Sequence, residues 1–304
     1  MISICIPVYN FEIDLLVKAL SPQIESADAA VELIVIDDNS RADIKTRNKA
    51  SCQNCKYIEL SENIGRSKIR NLFLNYASQD YLLFLDCDSL IENPRFLQNY
   101  LETLKQQAKV VCGGRIYGLR PPGRQQRLRW KYGVCKESQP CESRKKQPYK
   151  SFMSNNFLIQ RRVLEEIRFD ERITQYGHED TLFGYSLAKN QIPITHIDNP
   201  VLNGDIESNT EYLRKTREGI NNLTAILNYE EYHQDLIQDI SLLRFYDKIR
   251  RFENIVLWFF LLKKPVIIYL LSKGYVNLQL FDFYKLGLFI EQKRKISKTK
   301  NTKT

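Results

Sequence analysis

The sequence has few of the residues that build stapled, repetitive or membrane-embedded proteins. Seven cysteines in 304 residues are too sparse for a disulfide-built fold. Twelve glycines and ten prolines exclude collagen-like and low-complexity classes. No apolar run is long. Ile255–Leu262 holds eight residues and Val266–Leu271 six, with Lys263-Lys264-Pro265 between them, well short of the roughly 20 needed to span a bilayer. No glycine-rich phosphate loop stands near the N-terminus, and no recognisable nucleic-acid module is present, so no nucleic-acid partner is expected. Nothing ahead of Ile2–Pro7 reads as a basic segment with a cleavage site. The expectation is therefore a chain without an export signal, cytoplasmic, with reduced thiols.

What is present is an ordinary globular balance, 43% hydrophobic and 27% charged. The length allows about two domains. The net charge of +9 is unevenly spread. Residues 115–150 carry eleven Lys or Arg against two Glu, and 293–304 carry six basic residues and no acid. The remainder is mildly acidic. A basic segment interleaved with Trp130, Tyr132 and Tyr149 points to an anionic partner, such as a nucleotide diphosphate, a lipid phosphate or a membrane surface.

The first half alternates strand-like and helical stretches. Ile2–Pro7, Val31–Ile36, Tyr57–Leu60, Tyr81–Leu85 and Lys109–Cys112 read as buried strands. Between them, 10–24, 64–77 and 93–107 carry apolar residues at helical spacing. This order predicts an α/β fold with a mostly parallel sheet flanked by helices. Ligands of such sheets bind beyond the carboxyl ends of the strands. The segment 113–150 reads as a long basic loop, 151–160 as extended, 181–190 as a helix and 192–197 as extended. From Ser208 to about Glu291 the chain reads as nearly all helix, giving a boundary near 205.

Polar groups cluster after the strands. Asp86-Cys87-Asp88 follows the apolar YLLFL, and two carboxylates at i and i+2 suit Mg²⁺ or Mn²⁺. Asp37-Asp38 follows the second strand and can accept from a base or a ribose, or cap the next helix. Arg66 and Arg70 share one helix face and suit phosphate or carboxylate. Glu179-Asp180 opens a helical stretch, where a carboxylate can serve as a general base. Cys52-x-x-Cys55 with Cys135 and Cys141 is poorly spaced for zinc, and Cys5, Cys87 and Cys112 read as small buried hydrophobes.

In order and spacing, Pro7-Val8-Tyr9-Asn10, Asp37-Asp38-Asn39-Ser40, Asn63-x-Gly65-Arg66…Arg70-Asn71, Leu85-Asp86-Cys87-Asp88, Asn155-Asn156-Phe157 and Gly177-His178-Glu179-Asp180 resemble glycosyltransferase family 2 proteins with the GT-A fold. The resemblance runs over nearly the whole chain. It implies an inverting transfer of a sugar from a nucleotide-sugar, usually UDP-linked, to an acceptor hydroxyl. Residues 1–205 would form the catalytic GT-A domain and 206–304 a helical extension. Pro7, Tyr9, Asn10, Asp37, Asp38, Asn63, Arg66, Arg70, Asp86, Asn155, Asn156 and Glu179 would line the substrate site, with Asp38 at the nucleobase and Asp86 towards the ribose and sugar. Asp180 would be the base, and Asp88 would hold a divalent cation, Mn²⁺ or Mg²⁺. The stretch Asn199–Asn203 departs from the family pattern, which ends in His. Asn203 then becomes the candidate ligand, with Asp205 or His196 as substitutes. The implied partners are a nucleotide-sugar and a glycan or lipid-linked acceptor for cell-surface polysaccharide or glycolipid. The rival reading is a catalytically degenerate scaffold or regulatory subunit. The aromatic stretch 255–271, flanked by basic residues, reads either as core or as an interfacial helix on the inner membrane face.

Overall fold

In a computed structural model, residues 1–174, 176–229, 237 and 239–301 are described. Strand β1 (Ile2–Val8) pairs in parallel with β2 (Val31–Asp37) and with β4 (Tyr81–Leu85), and β2 with β3 (Lys56–Glu59). Helices α1 (Asp14–Glu25), α2 (Ala42–Ser51) and α3 (Arg66–Leu72) make the connections. After the short β5 (Ser89–Leu90) and helix α4 (Phe96–Leu104) come β6 (Val110–Cys112) and β7 (Arg115–Ile116). Further on lie β8 (Asn156–Gln160), α7 (Arg161–Glu166), α8 (Glu179–Lys189), β9 (Ile194–His196) and β10 (Val201–Asn203). The main sheet has seven strands in the order β3-β2-β1-β4-β8-β6-β9, with β8 antiparallel to both neighbours. A second sheet, β5-β10-β7, has three.

Both faces of the main sheet are buried, which is why its strands read as continuous apolar runs rather than as alternations. The two-residue period still sorts side chains. Ile2, Ile4, Ile6, Val35, Leu83 and Leu85 join Leu16, Leu20 and Phe96 on one face. Cys5, Ile34, Ile36, Leu82 and Phe84 join Phe73, Phe169 and Phe183 on the other. The rings of Phe169 and Phe183 stack at 4.1 Å. The cysteines expected as buried hydrophobes take that place, Cys5 and Cys112 directly and Cys87 with partial exposure.

Residues 113–150 are not one long loop. They carry β7, α5 (Arg127–Tyr132) and α6 (Cys141–Lys146). The reason lies in basic side chains turned inward. Arg144 is buried and donates to the carbonyls of Cys112, Gly113 and Ile197 at 3.1, 3.0 and 2.8 Å. It thereby ties α6 to the end of β6. Charge and glycine content hid that structural role.

The chain divides into two compact units: Met1–Leu119 with Gly133–Thr174 and Glu179–Asp205, and Arg120–Tyr132 with Gln175–His178 and Ile206–Thr304. The second unit is helical: α9 (Asn209–Ile226), α10 (Ser241–Ile249), α11 (Glu253–Ser272) and α12 (Leu278–Asn301). Residues 230–236 and 238, over which the sequence reading also continues helix, lie outside the described residues. Ser208 caps α9 by accepting the Glu211 N–H at 3.2 Å. Within this unit Phe260 packs so closely on Gly287 that a Cβ there would lie 2.2 Å from its ring. Lys263-Lys264-Pro265 divides the apolar run in the sequence but does not break the helix. Pro265 sits inside one twenty-residue helix, which loses a single backbone hydrogen bond there.

Candidate active site

The site lies at the carboxyl ends of β1, β2 and β4 and is closed by the start of α8 and by the small sheet. The turn after β2 is built first. Asp37 is fully buried. Its carboxylate accepts from the Tyr57 hydroxyl at 2.8 Å and the Ser40 N–H at 2.6 Å. It fixes the turn and shows no surface to a ligand, a correction to the contact expected of it. Asn10, with φ of 52°, clamps the neighbouring loop, donating its N–H to Ser40 Oγ at 2.8 Å and accepting from the Arg41 N–H at 2.9 Å. Asp38 accepts from the backbone N–H groups of Ile64 (2.7 Å) and Gly65 (3.1 Å), while Asn63 donates to its carbonyl at 3.2 Å. Burial nonetheless pushes the Asp38 carboxyl above its ordinary value. Gly65, at φ +83°, is in the left-handed region that glycine adopts without strain, and α3 starts directly after it. Pro7 is half-buried in β1, and Tyr9 is 54% exposed just beyond it.

Helix α3 then supplies two cations. Arg70, buried, reaches Asp86 Oδ1 with Nη2 at 2.9 Å. Arg66 reaches Glu179 Oε1 with Nη1 at 2.9 Å. Burial opposes ionisation of both acids, but Arg70 and Arg66 hold both carboxyls below their usual values. Asp180 differs. Burial, then the charge of Glu179 beside it, push its carboxyl up to about 6. Ser154 donates to it, yet its Oδ1 is buried without a hydrogen-bond partner. Two adjacent carboxylates are thus set apart, one ionised and paired, the other poised near neutrality, which is the signature of an acid–base group.

Asn155 and Asn156 are adjacent in sequence and opposite in role. Asn156 is saturated: its amide accepts from the Tyr100 hydroxyl at 2.6 Å and donates to the carbonyls of Gly114 and Asn199, both at 2.9 Å. It holds strands together and is corrected from ligand to structural residue. The Asn155 amide is buried with neither its nitrogen nor its oxygen partnered, and its carbonyl takes the Asp86 N–H at 3.0 Å. Such an amide is free to bond a ligand or a water.

The expected cation ligands do converge. Asp88 and Asn203 come together at the small sheet, but the cation between them is the Arg115 guanidinium. Its Nη2 donates to Asp88 Oδ2 at 2.7 Å and also to Asn203 Oδ1. Mg²⁺ or Mn²⁺ requires several oxygen ligands close to about 2.1 Å away. Here Asp88 Oδ2 and Asn203 Oδ1 already bind a fixed positive charge that would repel a second cation beside it, and Asn203 Nδ2 is turned to the Asp205 carbonyl. His196 supplies no ligand either: Arg144 donates to its Nδ1 at 2.9 Å, so its Nε2–H donates to the Pro148 carbonyl at 2.9 Å. Among the described residues no group of three His, Cys, Asp or Glu could hold a metal. This arrangement does not fit a divalent cation, and no chemical step is assigned to one. The sequence reading missed Arg115 and Ser154. Arg115 was countable only as one charge in a basic stretch, although its place directly after Gly113-Gly114 at a strand end was a usable signal.

Residues 3–168, more than half of the chain, match the profile of Glycosyl transferase family 2. The chain belongs to this family. It is 36% identical over 127 residues to Glycosyltransferase GlyA of Streptococcus pneumoniae, covering 37% of this chain and 16% of that protein. It is 32% identical over 118 residues to a poly(ribitol-phosphate) beta-glucosyltransferase of Bacillus spizizenii, covering 37% and 18%. The chain therefore spans under a fifth of the length of these curated relatives. Among solved structures it resembles glucosyl-3-phosphoglycerate synthase of Mycobacterium tuberculosis in complex with Mg²⁺ and UDP, with 20% identity, a TM-score of 0.52, and 74% and 78% of the two chains covered. The family 2 fold, a mostly parallel sheet flanked by helices with further helices at the C-terminus, is thereby the fold of this chain.

Proposed function

We propose that this protein is a glycosyltransferase that moves a sugar from a nucleotide-sugar, UDP-linked by preference, to an acceptor hydroxyl with inversion. The observation that carries the reading is Asp180, a half-buried carboxyl near pKa 6 whose enclosed Oδ1 has no partner, within one network with Glu179, Arg70 and Asp86. Asp180 takes the proton of the acceptor hydroxyl. The acceptor oxygen bonds to the anomeric carbon as the bond from that carbon to the diphosphate oxygen breaks. The electron pair leaves with the nucleoside diphosphate. Arg66 and Arg70 keep Glu179 and Asp86 ionised and fixed, Tyr9 and the Asp38 turn flank the nucleobase, and the Asn155 amide bonds the sugar or ribose. Catalysis is assigned to residues 1–205, with 206–304 as an extension. Intact acid–base geometry favours this reading over a degenerate scaffold. The test is turnover on a panel of nucleotide-sugars, with the anomeric configuration of the product read by NMR. A retained configuration removes the inversion, and no turnover on any donor removes the activity.

We also propose that the second unit docks on an anionic membrane surface, presenting a glycan or lipid-linked acceptor of a cell-surface polymer. Helix α11 supports this. By length and composition the helical stretch Ser241–Ser272, which contains it, is long and apolar enough to cross a membrane, yet only 22% of its most apolar window is buried. Leu257, Phe260, Ile267 and Leu271 are buried, while Ile255, Trp258, Phe259, Leu262, Val266 and Tyr269 form a second, exposed stripe. Lys263 is exposed beside that stripe. A helix apolar on both sides lacks a partner for one of them, and the relative acting on poly(ribitol-phosphate) supports a polymeric acceptor.

A further inference from the structure

Asp88, Asn203 and Arg115 are carried by one small sheet. Ser89, next to Asp88, pairs with Asn203, and Arg115 pairs with Val201. The Gly204 N–H closes on the Asp88 carbonyl at 2.7 Å. Gly114, at φ +95°, makes the turn between β6 and β7. Arg115 is therefore held by backbone pairing and is no surface side chain that wanders in. Its side chain is 10% exposed, and its guanidinium also lies 5.5 Å from the Tyr117 ring centroid. One nitrogen serves both Asp88 and Asn203, while Nε is buried with no hydrogen-bond partner. A guanidinium has five N–H donors in a fixed fork. Such a group, desolvated and incompletely used, is built to bind phosphate oxygens.

We infer that Arg115 is the resident cation of this site: its guanidinium takes the place of a divalent metal, binds the donor diphosphate and neutralises the charge left on it when the sugar departs. The inference rests on the nucleotide-sugar reading above. Asp88 and Asn203 then act as positioning residues that aim the fork, and transfer proceeds without added metal. An amide oxygen at 203 suits this arrangement, since it accepts from a guanidinium without adding charge.

The test has two arms on the full chain. In the first, Mn²⁺ alone is titrated and followed by electron paramagnetic resonance. Wild type is expected to show no site, because the Arg115 guanidinium sits between Asp88 Oδ2 and Asn203 Oδ1 and would repel a cation there. A wild-type Mn²⁺ site that Asp88→Asn abolishes overturns the inference whether or not the protein uses nucleotides. In the second, calorimetry measures UDP binding in EDTA and in millimolar Mn²⁺. Wild type should bind within about twofold in the two buffers, and Arg115→Met should bind about tenfold or more weakly, the scale of a lost charge-assisted pair. Arg115→Lys, which keeps the charge without the fork, should recover part of the loss. A gain of about tenfold or more for wild type on adding Mn²⁺ overturns the inference. If Arg115→Met does not fold, the two wild-type measurements and Arg115→Lys decide. Absence of UDP binding in both buffers overturns the donor reading instead, and the Mn²⁺ arm still decides on Arg115.

Discussion

The two units solve opposite problems. In the sheet unit, polar groups are buried: Arg70, Asp37, Glu179, Asn155 and Asn156 are all nearly or fully enclosed. In the helical unit, apolar groups are exposed, with Trp258 at 65% and Tyr269 at 61%. Each departs from the common pattern in the direction that carries information, since buried polar groups and exposed apolar patches are the informative exceptions. A buried polar group costs free energy unless it is paired. Inside the sheet unit the buried side-chain atoms left unpaired include Asp180 Oδ1, the Asn155 amide and Arg115 Nε, alongside Ser67 Oγ, Arg70 Nε and Ser138 Oγ; the first three are the ones the proposed reaction uses. In the helical unit what stands uncovered is an apolar surface.

The largest expected effect follows from the sheet unit. Asp180→Asn should lower turnover by roughly 10²–10⁴-fold, the range of a positioned base, with UDP affinity little changed. In wild type, kcat should rise with pH through about 6, where the carboxyl ionises. The same raised carboxyl makes the native state hold its proton more tightly than the unfolded chain. Its contribution to stability is complete below about pH 4 and declines as pH rises through the folded value. Asp180→Asn should therefore raise Tm relative to wild type at pH 7 and not at pH 4. A variant that is inactive and also less stable at pH 7 would break the link between burial and reactivity.

Next in size is the contrast between the two adjacent asparagines. Asn156→Ala removes the acceptor of the Tyr100 hydroxyl and the side-chain donor to the Asn199 carbonyl, while the Gly114 carbonyl keeps the Val201 N–H, and should cost about 1–3 kcal/mol of stability in urea unfolding. Asn155→Ala strands no partner of its amide. Its stability should stay within about 1 kcal/mol of wild type while KM for the donor rises. Equal losses of stability in both variants would erase the distinction between a held and a waiting amide.

This pair also shows what the sequence could tell. The strands were legible because runs such as YLLFL are buried on both faces, and the strand-end acids because the topology places them where ligands bind. Which of Asn155 and Asn156 faces the ligand was not legible: adjacent residues on an extended chain point to opposite sides, and the choice depends on Tyr100, Gly114 and Asn199, distant in sequence. Arg115, Arg129 and Arg144 were misread for the same reason. Composition counts them as solvated charge, whereas their partners, Asp88, Glu207 and the carbonyls around β6, are supplied by tertiary contacts. The aromatic helix reads as either core or interface from sequence; it has one buried apolar face and one exposed apolar face.

In the helical unit, Trp258→Glu should leave unfolding unaffected, because the ring is mostly exposed. Flotation with anionic vesicles should fall by about tenfold or more and stay low at high salt, since aromatic insertion is not screened. Unchanged flotation would leave that face to a protein partner.

The smallest expected effect separates two neighbouring lysines. Both follow the aromatic stretch, and from sequence both read as membrane-facing charge. Lys264, however, is bound to Glu291 at 2.6 Å, and it holds that carboxyl below its ordinary value against the opposing effect of burial. Its charge is already used between α11 and α12. Lys263 is exposed and remains available to lipid phosphate. Each basic residue near an anionic surface contributes about 1 kcal/mol, so Lys263→Ala should weaken vesicle binding about fivefold at low salt and hardly at all at high salt. Lys264→Ala should instead lower stability by up to about 1 kcal/mol and change vesicle binding less. Deleting 297–304, which spares the paired Lys293, Arg294 and Lys295 and removes three further lysines, should weaken low-salt flotation more than Lys263→Ala while leaving the salt-resistant part intact. If Lys264→Ala proves the stronger membrane variant, the apolar stripe and the basic residues do not act on the same surface, and the exposed face of α11 is turned to something other than lipid.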